Sequence, residues 1–210
     1  MIVHMTGYAL AERLALANTM DQFGPDAPTL CAGWSVRDLA AHLVLRERRP
    51  DAAAGILLRR VAPHTERVQA RIAAGAFPDL LRRLRTRPWW IRPVDELINL
   101  AEMFVHHEDV RRAQAGWAPR DLGDGLRRAL FRQLRPIPLR GLRRLPAIVH
   151  IEAPGFGALR AGGHGPDTVR ISGDPAELLL FLVGRQSHAI VNLDGPAPLI
   201  EHLRRARLGI

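Results

Sequence analysis

The sequence predicts an α-helical bundle followed by a small α/β domain. Three observations predict it. The first two thirds carry apolar residues at three- and four-residue spacing, cut into segments by Pro and Gly. The last third carries short apolar or alternating runs of strand length between Gly, Asp and Pro turns. Between the two lies 136–146, with three prolines and one glycine, read as a linker. The expected division is a bundle over 1–135 and an α/β domain over 147–210.

The elements follow in order. Leu10, Leu14, Ala17 and Met20 give an amphipathic helix over 7–22, ended by Gly24-Pro25. Ser35 caps a second helix, with Asp38 three residues on as an approximate capping box, and Pro50 ends it. A third helical region, 51–74, breaks near Pro63, and a short helix covers Pro78–Arg85. Arg87–Pro93, with two Trp and two Pro, is a loop or turn. The fourth main helix runs over Val94–Ala115, and another over Asp121–Arg135. Ala147–Ala153, Thr168–Ser172 and Ala189–Leu193 are strands, and Asp174-Pro175 opens a helix to Val183. A last amphipathic helix occupies 197–207.

Composition narrows the class. The chain has 210 residues, 47% hydrophobic and 24% charged, enough for a real core and unlike a disordered or disulfide-stapled chain. No apolar run reaches the roughly 20 residues of a membrane span. Residues 1–25 lack signal-peptide features, so a cytoplasmic protein is expected. One cysteine, Cys31, excludes an internal disulfide. With no basic partner beside it, Cys31 reads as a small buried residue. The net charge is +9, carried by Arg without any Lys. Seven arginines (Arg127, Arg128, Arg132, Arg135, Arg140, Arg143, Arg144) fall between Asp124 and Glu152 with no acid among them. Such a stripe can bind an anion, or simply be a solvated face or linker.

The chemistry concentrates in the fourth main helix. At about 100° per residue, Glu102 and His106 share one face, about 40° apart, with Asp109 near the same line. His107 points elsewhere. Leu97, Ile98, Leu100, Met103, Phe104, Val105 and Val110 make the helix apolar on most sides, so it should be largely buried. A buried carboxylate needs a cation or a metal. Glu and His one turn apart form two thirds of a facial metal site, and equally a plain carboxylate–imidazole hydrogen bond. His42 is the best-placed third candidate among the nine histidines. Asp38, one turn earlier, could orient its imidazole. By pattern alone His42 also fits a boundary position of its helix. Trp34 reads as core, packed at the start of the second helix. Arg185, after Gly184, suits either an anionic ligand or the C-terminal end of a helix. There is no phosphate loop, dinucleotide fingerprint or G-x-S-x-G elbow.

These residues resemble a family. Thr29–Leu43 (TLCAGWSVRDLAAHL) is similar to the second-helix signature of the mycothiol-dependent maleylpyruvate isomerase group, within the DinB/YfiT-like metalloenzyme superfamily. Glu102–Asp109 (EMFVHHED) resembles its second signature, and Val169–Arg185 (VRISGDPAELLLFLVGR) its small C-terminal domain. The resemblance implies a DinB-like four-helix bundle holding one divalent metal, usually zinc, through His42, Glu102 and His106, with Asp38 and Asp109 behind the ligands. It implies mycothiol as a thiol cosubstrate, hence an isomerase or S-transferase acting on a small anionic or electrophilic substrate, with Arg185 a cofactor-binding candidate. Arg46–Gly55 (RERRPDAAAG) departs from the isomerases and is similar to a subgroup without an assigned activity. Two further readings stand beside this one: a non-catalytic metal- or ligand-binding module, and an Arg-rich nucleic-acid-binding protein. The last lacks a recognition-helix pattern or aromatic stacking motif.

Overall fold

The computed structural model describes residues 7–53, 55, 58–135, 142, 145–161 and 164–209. The chain divides into two compact units, Met1–Pro119 and Arg120–Ile210.

The first unit is helical. It comprises α1 (Tyr8–Phe23), α2 (Val36–Arg48), the short α3 (Pro50–Ala53), α4 (Ala62–Ala73), α5 (Phe77–Arg85) and α6 (Asp95–Arg112). Both halves of the expected box at α2 form: the Ser35 side chain accepts from the Asp38 N–H, and the Asp38 carboxylate accepts from the Ser35 N–H at 3.0 Å. Pro63 sits in the first turn of α4, where its missing N–H costs no helical bond. Arg87–Pro93 is a set of turns whose Trp89 and Trp90 rings meet edge to face, both exposed. One core joins Leu16 and Met20 of α1, Leu39 and Leu43 of α2, Leu81 and Leu84 of α5, and Met103 and Val110 of α6. Each such side chain contributes about 1.5–3 kcal/mol on burial.

Ala17 and Met20 of α1 and Leu100, Met103, Phe104, Val105 and Val110 of α6 are buried as the apolar spacing predicts, but three expected apolar positions are not. Leu14 is 41% exposed, and Leu97 and Ile98 of α6 are exposed too. Arg13 is fully buried instead, with Glu12 beside it. The reason is polar pairing. Arg13 donates to Glu47 of α2 at 2.8 Å and to the Leu84 carbonyl at 3.2 Å, and lies 3.4 Å from Asp95 of α6. Asp95 also accepts from Arg87 and from Asn99. Burial pushes the Asp95 carboxyl up, but the Asn99 and Arg87 hydrogen bonds and the Arg13 charge outweigh it and leave it below its ordinary value.

The second unit holds α7 (Asp124–Gln133), β1 (Ala147–Ala153), β2 (Gly157–Ala161), β3 (Asp167–Ser172), α8 (Pro175–Leu182), β4 (Asn192–Asp194) and α9 (Ala197–Arg205). The sheet order is β2-β1-β3-β4, with β1 and β3 parallel and the outer pairs antiparallel. Val149, Ile151, Val169 and Ile171 line the buried face, and α8 is buried throughout. The sequence gives no warning of β2, which has no β-branched residue and lies in a Gly-rich stretch. Strand β4 starts three residues later than expected, at Asn192, where its pairing with β3 begins.

Helix α7 clusters with this unit, so the compact units part after Pro119 rather than after residue 135. It packs on α8, and Arg127 pairs with Asp174, the cap of α8, at 2.9 Å. Gly157 has φ 140°, and a Cβ there would lie 2.9 Å from the Phe131 ring. Glycine is required by that close approach. The expected linker and three stripe arginines (Arg140, Arg143, Arg144) fall almost wholly outside the described residues. Of the other four, Arg127 and Arg128 serve packing, Arg128 over the Phe156 ring. No helix among the described residues is long and apolar enough to cross a membrane.

The Arg13 cluster sets a first prediction. Arg13→Met leaves Glu47 buried without its cation and Asp95 with Arg87 alone, and should cost about 3–5 kcal/mol of stability. Leu14→Ala, one residue on, should cost about 1 kcal/mol or less. Urea denaturation of the two variants checks the contrast.

Candidate metal centre

The candidate centre lies in the first unit, where α2 and α6 bring their polar residues together. Helix α2 supplies His42, and α6 supplies Glu102 and His106 one turn apart. The His42 Nε2 lies 3.8 Å from Glu102 Oε1, and the His106 Nε2 lies 3.4 Å from the same oxygen. The three ligand-type atoms all lie within 4.8 Å of one another. Tetrahedral coordination at ordinary zinc–nitrogen and zinc–oxygen lengths needs donor separations of about 3.3 Å. The set is therefore close to a coordinating arrangement and slightly open.

Burial and orientation favour the same atoms. His42 is 8% and His106 9% exposed, whereas the Glu102 side chain is 27% exposed and opens the set to solvent. The Trp34 ring lies 5.0 Å from the His42 ring, centre to centre, and covers it. Asp109 Oδ2 lies 2.8 Å from His106 Nδ1. With Nδ1 engaged by Asp109, a cation that displaces the Nε2 proton would find that atom's lone pair directed toward Glu102. A carboxylate behind a ligand imidazole is how metal-binding histidines are usually oriented.

The site residues expected from sequence fare differently. Asp109 lies against the His106 Nδ1 edge. Asp38 has the Ser35 N–H and hydroxyl as its carboxylate's partners, so it serves the helix cap. His107 turns to α1, with Nδ1 3.0 Å from Glu12 Oε2 and Nε2 3.0 Å from Thr19 Oγ1. Arg185 belongs to the second unit and donates to the Val183 carbonyl at 2.8 Å, a helix C-terminal role. Arg46 enters the centre without a sequence expectation, and Cys31, expected as a small buried residue, is instead partly exposed and joins it. Arg46 Nε lies 3.4 Å from Glu102, and its NH1 donates to Asn99. Its position one turn after His42 was a signal in the sequence. The Cys31 Sγ lies 3.2 Å from Asp109 Oδ2 and 3.8 Å from His106 Nδ1. The Leu30 N–H donates to the Asp109 carbonyl at 3.0 Å and brings this loop onto α6.

The electrostatics follow from these contacts. Burial pushes the Glu102 carboxyl up. Hydrogen bonds from His106 and His42, with the charges of His106 and Arg46, win and hold it well below the usual carboxylate range. Burial pushes His106 down. Its bonds with Asp109, Cys31 and Glu102 win and raise it well above 6.5.

Comparison with known proteins adds the fold. No protein-family model matches the chain, and no curated protein does. Among solved structures, the mycothiol-dependent maleylpyruvate isomerase and a histidine-to-alanine variant of it each align with a TM-score of 0.56 and 14% identity. Each alignment covers 90% of this chain and 91% of that one. The chain thus shares the fold of that isomerase, a structural relationship in keeping with the sequence signatures.

The pH dependence of the metal-free protein has a definite sign. His106, raised in the fold, contributes stability fully present below about 6.5 and lost as pH rises through its folded value. Glu102, lowered in the fold, contributes stability present above about 4.5 and lost as pH falls through its folded value. Chemical denaturation of the metal-free chain across pH should show loss at both ends. His106→Gln should remove the alkaline loss, and an unchanged alkaline limb would contradict the assignment.

Proposed function

We propose that this protein binds one divalent cation, zinc in the first instance, through His42 Nε2, Glu102 and His106 Nε2, and uses it to activate a thiol cosubstrate. The reaction class is isomerisation or S-transfer on a small anionic or electrophilic substrate, with mycothiol the cosubstrate of choice. The carrying observation is the convergence of three ligand-type atoms beside an exposed carboxylate edge, with Asp109 behind His106. The shared fold with a mycothiol-dependent isomerase supports the choice of thiol. On this reading the first unit is a DinB-like four-helix bundle.

The donor set suits such an ion: two imidazoles and one carboxylate leave an open position, as in catalytic zinc sites. A cation held there supplies Lewis acidity and lowers the pKa of a coordinated thiol toward neutrality. The chain's residues do the rest. Asp109 keeps the Nδ1 proton of His106 in place, which fixes the tautomer. Arg46 balances the charge of Glu102 and places a guanidinium where a substrate carboxylate can approach. Trp34 keeps water from one face of His42.

Elemental analysis and metal titration of the purified chain test the reading. Wild type should hold about one divalent ion per chain. His42→Ala, Glu102→Ala and His106→Ala should each lower the affinity by about a hundredfold or more, and Asp109→Asn by about 10–100-fold. His107→Ala, which breaks the Glu12 pair instead, should keep most of the metal in its folded fraction. No metal after reconstitution, or equal retention in all these variants, would overturn the assignment and leave a metal-independent binding module.

A further inference from the structure

We propose that Cys31, His106 and Asp109 form a second cation site, suited to a soft divalent ion, which competes with the His42–Glu102–His106 set for the His106 ring. The second set is the more compact of the two. Its separations are 2.8 Å between His106 Nδ1 and Asp109 Oδ2, 3.2 Å between Cys31 Sγ and Asp109 Oδ2, and 3.8 Å between Cys31 Sγ and His106 Nδ1. Tetrahedral geometry at ordinary zinc bond lengths calls for about 3.5 Å between sulfur and a nitrogen or oxygen donor, and about 3.3 Å between nitrogen and oxygen. Each observed separation is within about 0.6 Å of those values. A cation entering the triangle would spread the donors only slightly.

The thiol is held in place by the backbone rather than by chance packing. The Leu30 N–H bonds to the Asp109 carbonyl, so the loop is anchored on the residue that supplies the carboxylate. The Thr29 hydroxyl donates to the Trp34 carbonyl at 2.8 Å and accepts from the Cys31 N–H at 3.2 Å, which closes the loop around Cys31. Such preorganisation lowers the ordering cost of ligation. Cys31 is only partly buried, so an ion can reach it, whereas Asp109 is fully buried.

One imidazole cannot serve both sets while neutral. With Nε2 facing the first set, Nδ1 carries the proton and donates to Asp109. With Nδ1 ligating the second set, the proton moves to Nε2 and donates to Glu102, 3.4 Å away. The Cys31 thiol releases its proton to solvent as the sulfur–cation bond forms, so the thiolate–carboxylate–imidazole set carries two negative charges. Thiolate selects soft ions, whereas the first set, with only nitrogen and oxygen donors, does not. The chemistry of the ion therefore decides which side of His106 it occupies.

Cadmium titration of the metal-free chain tests this, read by the ultraviolet thiolate-to-cadmium band. Cys31 is the chain's one cysteine, so the band reports that sulfur alone. The band should rise in wild type, persist in His42→Ala, and vanish in Cys31→Ser, whose hydroxyl keeps a donor to Asp109. Asp109→Asn should raise the apparent Kd about tenfold or more. In His42→Ala the band should saturate at about one ion per chain. No band in folded wild type, unchanged affinity in Asp109→Asn, or saturation at about half an ion per chain through sulfurs of two chains would overturn the proposal. The readout in His42→Ala is independent of the first set, so failure of either site is seen separately.

Discussion

A row of polar side chains runs along the buried face of α6, and each member needs a partner there. Asp95, Asn99, Glu102, His106 and Asp109 recur at spacings of four, three, four and three, along about 21 Å of helix. Ionisable groups in such a place are costly unless paired. The partners come from three directions: Arg13 from α1, His42 and Arg46 from α2, and Cys31 from the loop between them. Contacts link the row nearly end to end, from the Arg13–Glu47 pair through Asp95, Asn99, Arg46 and Glu102 to His106 and Asp109. Three elements are thereby held in one register against α6.

This constraint explains the departures from simple amphipathic packing. A helix with apolar residues on most sides can bury any of several faces, and hydrophobic burial alone does not discriminate sharply among them. Placing Arg13 inside with Leu14 outside forgoes part of a leucine's transfer free energy, about 1.5–3 kcal/mol in full. Leaving Glu47 buried without its cation, and Asp95 with Arg87 alone, would cost more. Pairing therefore decides the rotation of α1 and α6, and apolar packing fills the space that remains. The same rotation brings Glu102 and His106 to face His42. The fold and the candidate centre are set by one arrangement of charges.

The second unit is organised differently. Its sheet and α8 form an ordinary apolar interior, and its few polar anchors, such as Arg127 with Asp174, lie at the margins. Its described residues include no group of three metal-ligating side chains close enough to hold an ion. Metal-ligand chemistry among the described residues thus belongs to the helical unit, and Arg185 is engaged at the end of its own helix.

Much of the protein was legible in its sequence. The capping box at Ser35, the Pro and Gly breaks, and the apolar runs of β1 and β3 act locally, so the helices and most strands could be placed from them. Glu102, His106 and Asp109 were legible because one helix carries them at fixed angles. His42 as their partner came from resemblance, since its own helix left it at a boundary. Tertiary structure decided the rest. Cys31 meets Asp109 and His106 across more than seventy residues, through a loop that no periodicity describes. Strand β2 is set by its pairing with β1, and Gly157 at its start lets the Phe131 ring of α7 approach closely. Local rules state which residues share a face. Which faces meet depends on how buried charges from distant segments find one another, and only the folded chain settles that.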